Sequence, residues 1–441
     1  MTTRNISLFF IIMMSFALPL LGKPALEPAK AGLLAWYDAS DPAQFEMEGD
    51  QATLWRDKSG GGFDLGKKEG TRGPSVVQEQ NNRSVRGDQA GRLQSQAVNR
   101  TSDEMTVYAV VKAPPGLSPI ISFSSTGSPD ACVAGWTVGA APSFLSPNGA
   151  AGAYAEVEDG QWHMLTFWRK GEERRFYVDG VLAGEAKASA KPTKIGELLL
   201  FEYPGAATFS GELSELLIYV GAQSKDEIAR AHEYLAEKWK EQLPDPKGEL
   251  VVFVGNSITT GMYCGNGQTW SCKTGQAIPG LTHWYNISKG GVNTNQLTAM
   301  AGTMIDPLLK GKTGRSTLVF WEGTNDLVVN NSMPRDAAEN IAKFCRERKK
   351  AGWKNVIVLN VIPRQAGEVF EARRTELNAL LVANPKKNGI DAVVNLASLP
   401  EIGPAGQEMN TEYFADGTHL TPKGQAVVAG AVVPVLEAIR K

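Results

Sequence analysis

A hydroxyl, an imidazole and a carboxylate that can meet are sufficient for nucleophilic catalysis. This sequence offers them at Ser257, His419 and Asp416. Ser257 follows Val251-Val252-Phe253-Val254-Gly255-Asn256. Four apolar residues in a row, three of them Val, predict a strand buried on both faces, and Gly255 lets the chain turn at its end. Ser257 then falls just beyond the carboxyl end of a central strand, where open α/β sheets place reacting groups. A serine there also suits a helix N-cap, so the position alone admits both readings. Three later stretches bear on the choice. Lys289-Gly290-Gly291-Val292-Asn293 follows a second apolar run, Trp284 to Ile287. Gly323-Thr324-Asn325-Asp326 follows a third, Leu318 to Trp321. Asp416-Gly417-Thr418-His419 precedes a helix start marked by Thr421 as cap and Pro422 in the first turn. Each sits where strand meets loop or loop meets helix, so all four can converge on one edge of a sheet. His283, just before the second run, is the rival base; His163 and His232 lie in the other half of the chain.

The elements that must position these groups alternate. Apolar runs recur at Val251 to Val254, Trp284 to Ile287, Leu318 to Trp321, Val356 to Val361 and Ala392 to Leu396, with helical patterns at Arg335 to Lys350 and Glu368 to Val382. This βα alternation predicts a parallel sheet with helices on both faces. Gly255-Asn256-Ser257-Ile258-Thr259, Gly290-Gly291, Gly323-Thr324-Asn325-Asp326 and Asp416-Gly417-Thr418-His419, in that order, resemble the four blocks of the SGNH hydrolases, within the GDSL-type esterases. Asn256 stands where many members carry Asp. The resemblance implies a three-layer, flavodoxin-like α/β domain over residues 249–441. It implies Ser257 as nucleophile, His419 as base and Asp416 as its orienting acid. The Ser257 and Gly291 N–H groups and the Asn325 amide would form the oxyanion hole, with Gly290 the alternative to Gly291. The motif is not an α/β-hydrolase elbow, because position 259 is Thr where Gly-x-Ser-x-Gly requires Gly.

The first half reads differently. From Gly32 to Gly221 there are short strands and turns: Met105 to Val111, Trp162 to Trp168, Arg175 to Val178, an Asp179-Gly180 hairpin turn, and Glu212 to Val220. That pattern predicts an all-β sandwich. Leu33-Leu34-Ala35-Trp36-Tyr37-Asp38-Ala39-Ser40, Trp55-Arg56-Asp57-Lys58-Ser59-Gly60, Phe176-Tyr177-Val178-Asp179-Gly180 and Gly211 to Tyr219 resemble the concanavalin A-like (laminin-G-like) jelly rolls. The resemblance covers residues 30–242 and implies glycan binding or a structural role. A glycosidase would need two carboxylates aimed at one bond. Glu212 and Glu215, three apart on a strand, are expected on opposite faces, and Glu156 and Glu158 precede what reads as a solvated Asp159-Gly160 turn. Asp226 to Leu243 is helical, capped by Ser224. Residues 243–248, with two prolines and a glycine, read as a linker between two separable halves.

Composition sets the remaining bounds. The chain has 441 residues, 21% charged and 42% hydrophobic, with a formal net charge of -2. It is an ordinary globular multidomain composition, with no call for a nucleic-acid partner. Arg4 precedes an apolar run from Ile6 to Leu21 that Pro19 interrupts. With small Gly22 just beyond, residues 1–22 read as a secretory signal peptide rather than a stable membrane insertion, placing the protein outside the cell or in a periplasm. Export permits disulfides, and Cys264 and Cys272 flank a short loop they could close. Cys132 and Cys345 read as buried thiols. No His/Asp/Glu cluster has metal-ligand spacing, and a serine hydrolase needs no cofactor. The expected activity is a secreted esterase removing O-acyl groups, foremost acetyl, from a poly- or oligosaccharide. The alternatives are a lipid or aryl-ester acylhydrolase on the same fold, or a glycan binder with an inert hydrolase half.

Overall fold

The computed structural model describes residues 27–441, apart from 80–81, 89, 113–117, 124–132, 137–141, 147–148, 153–156, 158, 189, 191, 204–205, 246, 265–266 and 282. The expected signal segment, Cys132, Glu156 and Glu158 therefore lie outside the described residues.

The first half is a large antiparallel sandwich. Its longer strands are β1 (Leu33–Asp38), β2 (Asn82–Asp88), β3 (Glu104–Lys112), β4 (Trp162–Lys170), β5 (Glu173–Val178), β6 (Val181–Lys187) and β7 (Ser210–Val220). β7 pairs with β1, β2 and β3; pairing then runs β3 to β4, β4 to β5 and β5 to β6. The β5–β6 turn has Asp179 at φ 49° and Gly180 at φ 80°, the two positive φ values of a type I′ hairpin. β3 is apolar almost throughout because both its faces are covered. Val107, Ala109 and Val111 enter the sandwich core, whereas Tyr108 and Val110 meet helix α1 (Lys225–Lys238).

In β7 a bulge at Ser214 changes the alternation. Leu213, Leu216 and Ile218 point into the core, while Glu215, Leu217 and Tyr219 face α1. The bulge therefore brings Glu212 and Glu215 to the same face, not the opposite faces that plain alternation predicts. Neither acid is available for glycoside chemistry. Glu212 accepts from Ser84 and Arg86. Glu215 accepts from the Trp36, Tyr234 and Trp239 side chains and pairs with Lys238 at 2.8 Å. That network seats α1 on the sandwich and offsets the cost of a buried carboxylate.

The second half is a five-stranded parallel sheet: β8 (Leu250–Gly255), β9 (Trp284–Ser288), β10 (Ser316–Trp321), β11 (Asn355–Leu359) and β12 (Ala392–Val394), in the order β9-β8-β10-β11-β12. Its helices are α2 (Trp270–Ala277), α3 (Thr294–Met304), α4 (Thr324–Val328), α5 (Pro334–Ala351), α6 (Gly367–Ala383) and α7 (Pro422–Arg440). Two apolar cores flank the sheet. Val252, Val254, Leu318 and Phe320 pack with α3, α5 and α6; Val251, Phe253, Val319 and Trp321 pack with α2 and α7. Burial on both faces is why β8 shows no alternation.

The halves are not joined by a free tether. Leu243 is buried, and Lys312 Nζ donates to the Asp245 carbonyl at 2.6 Å. β9 is an edge strand, and its unpaired backbone needs partners. Gln161 supplies them: its Oε1 accepts from Trp284 N at 3.2 Å and its Nε2 donates to Trp284 O at 3.4 Å. Tyr285 OH donates to Asp179 Oδ2 at 2.9 Å, and α3 packs on β6. Val178 and Ala183 share one continuous apolar core with Val252, Ile287 and Leu297. Residues 243–248 thus connect two halves that bury a common interface.

The expected Cys264–Cys272 bridge is not formed; neither cysteine takes part in a disulfide. Cys272 lies in the first turn of α2 and enters the core beside Trp270, while Cys264 Sγ approaches the Leu420 carbonyl at 3.2 Å. Peptide mapping under non-reducing conditions should find no linked peptide containing both. Burial pushes the Cys264 thiol up to about 11, so alkylation of the native protein at neutral pH should be slow there and slower at the buried Cys272 and Cys345. A linked peptide in the native protein would refute this.

Candidate active site

The parallel register brings the site together. Gly255 of β8 lies opposite Ser288 of β9 and Trp321 of β10, so three strands end level. A Cβ on Gly255 would lie 2.2 Å from Thr259 Oγ1 and 2.8 Å from Trp321 O, so only glycine permits this turn. The chain then curls through residues 256–264. Ser257 O accepts from Met262 N at 3.2 Å and from Thr260 Oγ1 at 2.8 Å. Ser257 is not a helix cap; α2 starts later and is capped by Thr269.

The opposite wall is the loop before α7. Asp416 Oδ1 accepts from Thr418 N at 3.0 Å and His419 N at 2.8 Å, folding four residues into a tight turn. Thr421 caps α7 with Pro422 in its first turn. Buried Gln425, one turn further, accepts from Trp270 N at 2.8 Å and donates to Ile258 O at 2.9 Å. It ties α7 to the turn that carries Ser257.

These elements place His419 Nε2 2.8 Å from Ser257 Oγ and His419 Nδ1 2.8 Å from Asp416 Oδ2. An ionised carboxylate can only accept, so Nδ1 carries the ring proton and Nε2 is left to accept from the serine hydroxyl. Burial pulls the Asp416 carboxyl upward. The hydrogen bonds from the His419 backbone and ring and from Thr418 N outweigh it and hold the group below its ordinary value. His283 sits elsewhere, before β9 in a small recess lined by Asp245, Gly248 and Lys312.

Hydrogen-bond donors flank the serine. A Cβ on Gly290 would stand 3.8 Å from Ser257 Cβ, so this loop runs beside the Ser257 side chain. Gly291 has φ 79° and faces open space. Asn325 Nδ2 donates one hydrogen to Val292 O at 2.7 Å and has a second to offer. The Gly290–Val292 loop thus approaches Ser257 on one side and Asn325 on the other.

Behind this wall lies a group that the sequence reading missed. Glu322, wholly buried, accepts from Asn256 Nδ2 at 2.9 Å and from Gly323 N at 3.0 Å. Burial, reinforced by the charge of Asp326, pushes its carboxyl up to about 8. Asn256 thus donates to Glu322, where a carboxylate would add like charge. Asp326 holds the start of α3 by accepting from Thr294 N and Oγ1. At the rim, Tyr263 is 64% exposed and meets His419 edge-on, ring centres 5.6 Å apart.

Residues 253–427 match the family described as GDSL-like Lipase/Acylhydrolase, a span that contains Ser257, Gly291, Asn325, Asp416 and His419. Residues 86–229 match the Concanavalin A-like lectin/glucanases superfamily. The chain therefore carries a GDSL-like acylhydrolase domain, an ester hydrolase of the esterase/lipase type, behind a concanavalin A-like domain. No curated protein matches the chain. Among solved structures, a member of the lipolytic protein G-D-S-L family from Veillonella parvula is 17% identical, over 43% of this chain and 99% of that one, with a TM-score of 0.37. Domain 4 of AbnA, a GH43 extracellular arabinanase from Geobacillus stearothermophilus, is 16% identical, over 44% of this chain and 96% of that one, with a TM-score of 0.34.

Proposed function

We propose that the chain is a serine esterase that removes O-acyl groups, foremost acetyl, from carbohydrates outside the cytoplasm. The observation that carries the chemistry is the Ser257–His419–Asp416 relay, with both contacts at 2.8 Å. Ser257 Oγ bonds to the ester carbonyl carbon as its proton passes to His419 Nε2. Negative charge builds on the carbonyl oxygen, where the Ser257 and Gly291 N–H groups and the second Asn325 amide hydrogen receive it. The carbon–oxygen bond to the alcohol breaks as His419 returns the proton to it. Water then attacks the acyl-serine, again losing its proton to His419, and the free acid departs with Ser257 restored. Asp416 keeps the imidazole in the required tautomer and stabilises its cation.

The carbohydrate assignment draws on the concanavalin A-like match and on the exposed ring of Tyr263, whose apolar faces and polar tip suit an amphipathic sugar. Export rests on the apolar start of the sequence. A lipid reading draws on Val328 and Val329, 37% and 62% exposed, at the end of the helix that carries Asn325. A substrate panel separates the two. Acetate release from acetylated glycans should exceed turnover of long-chain p-nitrophenyl esters and phospholipids. A preference for acyl chains of about eight carbons or more, with no acetate from any glycan, would favour the lipid reading.

A further inference from the structure

We propose that Arg364 binds an anionic group of the substrate and makes the enzyme selective for acylated acidic sugars over neutral ones. The inference rests on the ester-hydrolase reading above. Arg364 lies in the short segment between β11 and α6, and that segment is held firmly. Asn378 Oδ1 accepts from Val361 N at 2.8 Å, and Arg374 Nη1 and Asn378 Nδ2 both donate to Val361 O. Gln365 N donates to Gly417 O at 2.7 Å, which pins the segment to the Asp416–His419 turn. Gly417 has φ 76°, and a Cβ there would lie 2.8 Å from Gln365 Oε1, so the two loops fit against each other closely. From this anchored position the guanidinium reaches Thr324 Oγ1 at 3.5 Å, next to Asn325. It therefore spans the two walls of the site, the oxyanion side at Thr324–Asn325 and the His419 side at Asp416–Gly417.

What the guanidinium lacks is a partner of its own. Among the described residues no carboxylate lies within ion-pair distance of it. Among those same described residues its one hydrogen bond is the long one to Thr324, and its Nε is buried without an acceptor. Arginine carries five N–H donors in a fork that matches a carboxylate or sulfate through two parallel bonds. The buried Nε–H costs desolvation unless an acceptor reaches it, while the outer N–H groups remain open to solvent and so to a ligand. Asp416 and Glu322 lie near enough to act on it electrostatically, but Asp416 is already engaged by His419 and Thr418, and Glu322 by Asn256 and the Gly323 backbone. The group that fits is an oxyanion carried by the substrate beside its ester, a sugar carboxylate or a sulfate.

The test compares kcat/KM for three acetylated oligosaccharides, one uronate-containing, one sulfated and one neutral, in the full-length protein and in Arg364→Gln and Arg364→Lys. Wild type should prefer one of the acidic substrates, and which of them wins identifies the anion. Arg364→Gln should lower the acidic-to-neutral ratio about 10- to 100-fold, mainly through KM. Arg364→Lys, which keeps the charge but not the fork, should recover part of it. Equal turnover of acidic and neutral substrates by wild type would overturn the proposal. So would a proportional fall on all three in Arg364→Gln, which would make Arg364 a support for the Asp416 turn. Absence of any ester hydrolysis by wild type would instead refute the underlying esterase reading.

Discussion

Ser257→Ala should lower kcat on a small acetyl ester about 10⁴-fold or more while leaving the protein folded. The size follows from what the hydroxyl does. In the proposed mechanism it is the atom that bonds to the acyl carbon, and it stands 2.8 Å from His419 Nε2. The alanine variant keeps the backbone donors and any residual rate they support, so a small rate above that of water should persist. Its melting temperature should match that of wild type, because the side-chain oxygen removed is hydrogen-bonded to a partly exposed histidine and no apolar packing is lost. His419→Ala should be comparably inactive, since a serine without its base is a poor nucleophile at neutral pH. Asp416→Asn should keep the loop while favouring the wrong imidazole tautomer, again about 10⁴-fold slower. Near-normal turnover by Ser257→Ala would remove the serine mechanism altogether. A larger loss on changing His283 than His419 would mean the base had been misassigned.

The candidate site residues could be placed from the sequence because each follows a strong structural signal. The apolar runs at Val251 to Val254 and Leu318 to Trp321 mark strands, and the strand ends put Ser257 and Asn325 on one edge. Thr421 and Pro422 fix the start of α7, and that places the Asp416–His419 turn. Other features leave no such signal. Nothing in the run Gly211 to Tyr219 announces a bulge at Ser214, yet that one residue decides which way Glu212 and Glu215 point. Glu322 and Gln425 act by bridging loops that are adjacent only after folding, separated by 66 residues from Asn256 and 167 from Ile258. The proximity of Cys264 and Cys272 in sequence suggested a bridge, but the helix starting at Trp270 turns Cys272 into the core. Pro and Gly around residue 245 mark a break in secondary structure correctly; they say nothing about whether the flanking domains touch.

They do touch, and cutting them apart should be costly. A fragment starting near Asp245 should be insoluble or inactive, because it would expose the face of β9 and α3 that packs on β5 and β6 and leave the Trp284 backbone without Gln161. The full chain should unfold in one cooperative transition. The centre of the contact is His163, wholly buried, with Nδ1 2.8 Å from Asp179 and Nε2 3.3 Å from Asp159, beside the ring of Tyr285. Burial alone would lower this imidazole's affinity for a proton, but the carboxylates of Asp179 and Asp159 outweigh it and raise the group to about 10. An unfolded histidine titrates near ~6.5. The folded protein therefore holds a proton that the unfolded chain has lost, and the stability this contributes is full below about pH 6.5 and disappears as pH climbs through about 10. His232 and His283 behave oppositely. Burial lowers both to about 4, so their contribution is present above ~6.5 and is lost as pH falls toward 4. Melting temperature should then peak near neutrality and fall on both sides, and His163→Gln should flatten the alkaline limb specifically. His163→Ala, which leaves two carboxylates facing each other without a cation, should cost about 3–5 kcal/mol. An active, soluble fragment from Asp245 onward, or an alkaline limb unchanged in His163→Gln, would show that the two halves are stable independently and that their contact contributes little to either.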